Sequence, residues 1–358
     1  MSIDQDKLIL LAIETTCDET AAAVLEGPRP PGIGVPRIRS SVVSSQVGLH
    51  QRYGGVVPEI ASRAHVRQVV PMIDQALDRA GVSLARLDAV AVATRPGLVG
   101  ALVVGLTAAK ALALALDIPL VAIDHLEGHL YACQLAYPDR DVYPCVGLVV
   151  SGGHTSLYVC DSPLASEYLG GTTDDAAGEA FDKVASLLGL GYPGGPVIEQ
   201  AARAGNPAAF AFPRSFLHDD RLIWSFSGLK TAVLYALGWQ NARHAPNELG
   251  QKLKSDVAAS FQEAVIDVIV AKTRQALMRT TIKKLGVGGG VAANAALRQR
   301  LTEMAAALGV EVFIPPPTLC TDNAAMGGIA LPKLAAGQVA SLDIDVAAGL
   351  VRTKQRQH

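Results

Sequence analysis

None of the five cysteines, Cys17, Cys133, Cys145, Cys160 and Cys320, stands in a C-x-x-C spacing, and their number is odd. That argues against a zinc finger or a disulfide scaffold and fits a reducing, cytoplasmic compartment. A positive charge excess is missing too: 31 Lys plus Arg against 33 Asp plus Glu leave a formal charge of -2. Any nucleic-acid contact must then use a local basic patch or a partner. There is no G-x-x-x-x-G-K-[ST], which excludes a P-loop. The start of the chain lacks a signal peptide's pattern, since Asp4, Asp6 and Lys7 precede a short apolar run, Leu8 to Ile13, closed by Glu14. Nor is there an unbroken apolar segment of spanning length. The longest candidate, Val99 to Ile123, is interrupted by Gly100, Gly105, Lys110, Asp117 and Pro119, and reads as a buried helix followed by a strand rather than a membrane span.

What is present is an apolar chain of 358 residues, 50% hydrophobic, enough for roughly two domains of ~150 residues. Leu8–Glu14, Thr20–Glu26 and Ile38–Ser45 read as strands. Between the last two, Gly27–Pro36 carries four prolines and three glycines and is expected to form a loop tip that holds no ladder. Val66, Val69, Val70, Ile73 and Leu77 recur at helical spacing, with a kink expected at Pro71 and a stop at Gly81. A strand at Asp88–Thr94, a helix at Val99–Leu116, a strand at Pro119–Ile123 and a helix at His125–Leu135 follow. After Pro144 the order begins again. Strands are expected at Val146–Ser151, Thr155–Cys160 and Glu167–Leu169, and helices at Ala176–Leu188, Val197–Ala204 and Leu249–Arg279. The chain then alternates a strand at Lys283–Val287, a helix at Ala292–Leu308, a strand at Glu311–Ile314 and a helix at Asp322–Ala336. The reading is a duplicated α/β fold.

Three segments place small or polar residues at strand-to-turn corners: Ile13–Thr20, Val150–Thr155 and Gly286–Asn294. Main-chain N–H groups at such corners form concave anion sites, and three of them in a duplicated chain favour a nucleotide between the halves. The third segment lies far from any N-terminal βαβ unit, which disfavours a dinucleotide fold.

His125-Leu126-Glu127-Gly128-His129 puts two imidazoles on one helix face, about 6 Å apart along the axis. A zincin needs Glu directly after the first His, and here Glu127 is displaced by one position. A third ligand must come from elsewhere. Asp322 is a candidate, although at a helix start it reads first as a cap. Two His and one carboxylate leave coordination positions open, as a catalytic ion requires.

The chain resembles the TsaD family of tRNA adenosine threonylcarbamoyltransferases, formerly glycoproteases, within the actin-like ATPase (ASKHA) superfamily. The resemblance runs from about Leu8 to Leu350. It rests on IETTCDET (Ile13–Thr20), YGGVVPEIASR (Tyr53–Arg63), HLEGH (His125–His129), VSGGHT (Val150–Thr155), DDAAGEAFDK (Asp174–Lys183), YPGGP (Tyr192–Pro196), SFSGLKT (Ser225–Thr231), GGGVAAN (Gly288–Asn294) and CTDNAAM (Cys320–Met326). The loop tip at Gly27–Pro36 is longer than usual in the family, and Ala64 stands where an acidic residue is common.

The resemblance implies an α/β, duplicated actin-like fold of two lobes, 1–135 and 136–358, with the last helix and tail packing back on the first lobe and the site in the cleft. It implies one divalent metal on His125, His129 and Asp322, iron favoured over zinc, and no organic cofactor. Substrate-binding positions fall on Val149, Val150, Ser151, Gly152, Gly153, Asp182, Gly195, Glu199 and Asn294. The implied reaction moves threonylcarbamoyl from threonylcarbamoyl-AMP to the exocyclic amine of the adenosine beside the anticodon in tRNAs reading ANN codons, releasing AMP. Asp18, and second Glu19, are expected to take the amine proton. The implied partners are tRNA, a TsaB-like paralogue and a TsaE-like ATPase, with no membrane. Candidate tRNA contacts are Arg52, Arg63, Arg67, Lys283, Lys284, Arg352, Lys354 and Arg356. Competing readings are an ATP- and magnesium-dependent small-molecule kinase of the same superfamily, a metalloprotease, and a non-catalytic scaffold paralogue.

Overall fold

A computed structural model describes residues 7–30, 32, 34–238 and 249–349. Arg352, Lys354 and Arg356 lie outside the described residues. Five strands, β1 (Lys7–Glu14), β2 (Glu19–Pro28), β3 (Arg37–Ser45), β4 (Ala89–Arg95) and β5 (Leu120–Asp124), form one sheet in the order β3-β2-β1-β4-β5. β1 reads KLILLAIE, apolar on both faces, and such a strand is stable at the centre of a sheet covered on both sides. It pairs antiparallel with β2 and parallel with β4. A second set, β6 (Cys145–Val150), β7 (Thr155–Ser162), β8 (Ala165–Gly171), β9 (Lys284–Gly288) and β10 (Glu311–Phe313), is ordered β10-β9-β6-β7-β8. Read from β8, this is the same order with the same pattern of antiparallel and parallel neighbours. The duplication expected from the order of elements is therefore present, and the architecture is the actin-like one.

The helices are α1 (Val47–His50), α2 (Pro58–Ala80), α3 (Val99–Leu116), α4 (His125–Ala136), α5 (Ala177–Leu188), α6 (Gly194–Ala202), α7 (Ser227–Ala236), α8 (Gln251–Thr280), α9 (Ala295–Ala307), α10 (Pro317–Cys320) and α11 (Ala330–Ala335). α2 and α3 cover one face of the first sheet around Ile9, Leu11, Ile13, Val69, Ile73 and Leu106. α5, α8 and α9 cover the second sheet around Leu148, Phe181, Phe261 and Leu297. α4 joins the two halves. Its Tyr131 and Leu135 pack on the first sheet, and its Leu126, Leu130 and Cys133 pack with Val149, Tyr158 and Phe313 of the second. Ala324, Ala325, Ile329, Ala330 and Leu331 return to the first sheet. Beyond them, Ala340 bridges Leu120 and the Ala347 N–H bonds the Thr94 carbonyl.

Several expectations are corrected. Gly27 and Pro28 do hold a ladder, paired with Leu8 and Lys7; Pro28 ends the strand, so its missing N–H costs little there. α2 continues through Pro71 and stops, as expected, at Gly81, whose φ of 65° is the left-handed C-cap. α3 is not wholly buried: Ala101, Leu102, Gly105 and Leu106 face the core while Leu114 is 71% exposed. The helix expected at Ala292 begins at Ala295, after a 3₁₀ turn over Gly290–Ala293, because the Asn294 side chain accepts the Leu297 N–H and caps it there. The helix expected from Asp322 is a 3₁₀ stretch, Ala324–Ile329, followed by α11, and the side chain before it makes no cap. α7 was not anticipated from its short SFSGLKT pattern.

Candidate active site

The site forms at the start of α4, where Glu14 at the end of β1 and Asp322 approach its two histidines. Asp124, the last residue of β5, accepts the Leu126 and Glu127 N–H groups and so fixes where α4 starts. Its other oxygen is held by Arg95 at 3.1 Å. His125 and His129 then lie one turn apart on the same face, both buried, with ring centroids 4.5 Å apart. Asp322, just before the 3₁₀ stretch that docks on the first sheet, brings Oδ1 to 3.2 Å from His129 Nε2 and 3.5 Å from His125 Nε2.

These three side chains offer ligand atoms that all lie within 4.8 Å of one another. Two bonds of about 2.1 Å at a tetrahedral angle separate ligand atoms by about 3.4 Å, so the two carboxylate–imidazole spacings suit a shared ion. Both ring nitrogens of His129 are buried without a hydrogen bond, which a ligand would relieve at Nε2. The triad is thus a possible metal site. The position before the 3₁₀ stretch is Asn323, whose side chain makes no cap bond, and Asp322 is turned to the two histidines. Glu127 points elsewhere, to Lys333 at 3.1 Å, which removes the protease reading's general base.

Charge in the site is concentrated. Burial opposes the charged form of His125, but the Glu14 and Asp322 carboxylates outweigh it and raise the group to about 9. His129 is lowered by burial and by His125. Asp322, despite burial, is held well below the ordinary carboxylate range by the two imidazoles. A residue not singled out from sequence, His154, senses His125, His129 and Asp322 and is lowered to about 4, chiefly by burial. Its place in VSGGHT was the available signal. Glu14 is another: it lies 3.2 Å from His125 Nδ1, and only an acid closing a buried strand hinted at it.

Asp18 is buried and accepts the Tyr192 hydroxyl at 3.3 Å. Glu19 accepts from Ser45 at 3.3 Å and is raised to about 10 by burial, then by Asp322 and Asp18. His65 of α2, also missed, bonds the Thr20 hydroxyl at 2.8 Å and the Cys17 carbonyl at 3.0 Å, clamping this corner.

On the other side, Val149 and Val150 are fully buried strand residues, so only their main chain could meet a ligand. The Ser151 N–H is committed to the His154 carbonyl at 2.8 Å, and the α5 N-terminus is committed to the Ser151 and Gly152 carbonyls. Gly152, Gly153 and Gly195 face open space. Asp182 accepts the Gly194 N–H at 2.6 Å and is raised by burial to about 6. Glu199 accepts the Ala295 N–H at 3.3 Å, and Asn294 donates to Gln262 at 2.8 Å. Arg52, Arg63 and Arg67 are exposed on the first half, whereas Lys284 is spent on the Asp141 and Tyr143 carbonyls.

A family model for tRNA N6-adenosine threonylcarbamoyltransferase, TsaD, matches residues 37–329. The chain belongs to the TsaD family. A relative of that name from Rhodopirellula baltica is 52% identical over 355 residues, covering 96% of this chain and 97% of the relative. One from Trichlorobacter lovleyi is 54% identical and covers 90% of each. Among solved structures, full-length HypF in its phosphate- and nucleotide-bound form aligns with a TM-score of 0.55 at 15% identity, over 93% of this chain; the chain spans 55% of HypF. The activator of the 2-hydroxyisocaproyl-CoA dehydratase from Clostridium difficile aligns at 0.51 and 13% identity, covering 92% and 96%. These two share the fold. As a TsaD-family member the chain is a transferase of tRNA modification, which sets aside the kinase, protease and scaffold readings.

Proposed function

We propose that the chain transfers the threonylcarbamoyl group of threonylcarbamoyl-AMP to the N6 amine of the adenosine beside the anticodon, in tRNAs reading ANN codons, with AMP leaving. The observation that carries this reading is Asp322 lying 3.2 Å from His129 and 3.5 Å from His125, with His154 of the glycine turn close enough to interact with all three. His125, His129 and Asp322 would hold a divalent ion, with iron favoured over zinc. When bound, such an ion supplies Lewis acidity toward the donor's oxygens.

The remaining roles belong to the chain's own groups. Gly152 and Gly153 let the donor approach the main chain, beside Val149, Val150 and Ser151. Asp182 has one oxygen on Gly194 and a second left for a ribose hydroxyl. Asn294 borders the adenine side, and Gly195 and Glu199 are further adenylate-binding positions. The exocyclic amine is a poor nucleophile, and its proton needs an acceptor as the new C–N bond forms. Glu19, raised to about 10 mainly by burial, keeps its own proton at neutral pH, which leaves Asp18 as the acceptor.

In the proposed cytoplasmic assembly, lobes 1–135 and 136–358 flank the donor. A TsaB-like paralogue covers the exposed apolar side chains Val66, Val70, Val99 and Val103 of α2 and α3, and a TsaE-like ATPase completes the complex. Purified protein given tRNA and threonylcarbamoyl-AMP should release AMP and modified adenosine in equal amounts. Asp18→Asn should cut turnover by 10²-fold or more, on the order of a lost general base, with donor binding nearly intact. Undiminished turnover in that variant would remove Asp18 from the mechanism.

A further inference from the structure

Glu14 closes β1 and is 2% exposed, so its carboxylate needs partners inside the protein. It has two. Oε1 accepts the Thr16 N–H at 2.8 Å, and Oε2 lies 3.2 Å from His125 Nδ1. The Thr16 hydroxyl stands 3.3 Å from the same Nδ1. A carboxylate is an acceptor only, so the His125 nitrogen facing it must carry the proton. Nε2 also faces a carboxylate, Asp322 Oδ1 at 3.5 Å, and with Glu14 holding the Nδ1 proton it is Nε2 that gives up its own to ligate an ion. His129 has no such support, since its Nδ1 is buried without a hydrogen bond.

We propose that Glu14 is the positioning residue of the metal centre: it locks His125 in the Nδ1–H tautomer and makes His125 the anchored ligand, while His129 is the adaptable one. This rests on the metal reading of His125, His129 and Asp322. Carboxylate–imidazole pairs of this kind hold ring orientation and raise ligand basicity, and losing one lowers metal affinity about 10–100-fold. Glu14→Gln is nearly isosteric but has a single acceptor oxygen. If that oxygen keeps the Thr16 N–H, the amide NH₂ faces His125 Nδ1 and drives the proton to Nε2, where it blocks ligation.

The test is Zn²⁺ titration of the metal-free protein by calorimetry, for the unaltered chain and Glu14→Gln, alongside their thermal midpoints without metal. The expected result is a Kd raised 10–100-fold in Glu14→Gln. An unchanged Kd overturns the proposal, whereas failure of the unaltered chain to bind Zn²⁺ overturns the metal reading itself. Should Glu14→Gln fail to fold, imidazole ¹⁵N NMR of the Zn²⁺-loaded, unaltered chain decides. A His125 Nδ1–H shifted downfield by its hydrogen bond to Glu14 is expected, and an unprotonated His125 Nδ1 refutes the lock.

Discussion

The Asp322 carboxylate lies 3.2 Å from His129 Nε2, so one residue near the end of the chain completes a pair set on the helix that joins the two sheets. Removing it tests the pair directly. Asp322→Ala leaves two neutral-ligand imidazoles and no anionic donor, so zinc or iron content of the purified protein should fall at least ~10-fold. Elemental analysis reads this. Full metal occupancy in Asp322→Ala would show that the two histidines suffice.

Gly288 ends β9 opposite Val149, and a Cβ on it would collide with the His129 carbonyl. The obstacle is backbone, which cannot swing aside. Gly288→Ala should therefore destabilise the fold by about 1–3 kcal/mol, the usual cost of overpacking. It should also weaken metal binding by moving α4. Urea unfolding together with Zn²⁺ titration checks both, and a variant matching the unaltered chain in both would mean α4 yields freely.

Asp182 gives a pH signature. Burial raises its carboxyl to about 6 from an ordinary 3.8, so the folded chain holds this proton more tightly than the unfolded chain does. Its contribution favours folding below about pH 4 and is lost as pH rises through 6. The melting temperature of the unaltered chain, minus that of Asp182→Asn, should accordingly rise on acidification from pH 7 to pH 4, by the equivalent of on the order of 2 kcal/mol. A difference that is flat with pH contradicts the buried, protonated carboxyl.

Arg52 lies over the ring of Tyr53, 4.7 Å from its centroid, and Tyr53 is 52% exposed on the short turn that Gly54 ends beside Ser186 of the second half. Arg52→Ala should weaken tRNA binding and reduce its salt slope by about 1, as losing one phosphate contact does. Tyr53→Ala should cost about 1–3 kcal/mol if a base stacks there. Filter binding across a salt series separates the two effects. Identical curves for all three proteins would move the RNA path away from this turn.

Strand and helix order was readable because apolar spacing changes between periods of two and 3.6 along the chain, and the repeated order of strands predicted the repeated sheet. Boundaries failed where local chemistry overrode spacing. Asn294 diverts the start of α9, and the 3₁₀ stretch after Asp322 follows from docking on the first sheet rather than from propensity. Of the site, the His pair was visible because both members sit on one helix. Glu14, His65 and His154 were not, since each meets its partners only across the fold.

The linear order of residues was enough to specify the strand and helix plan, the family, and the four-residue spacing of His125 and His129, because all of these are local or repeat along the chain. Folding had to bring Asp322 against His125 and His129, and it had to pair Glu14 with His125. The first depends on the second half of the chain returning to the helix that carries His125 and His129, the second on the end of β1 lying beside the start of that helix, and no local periodicity encodes either contact.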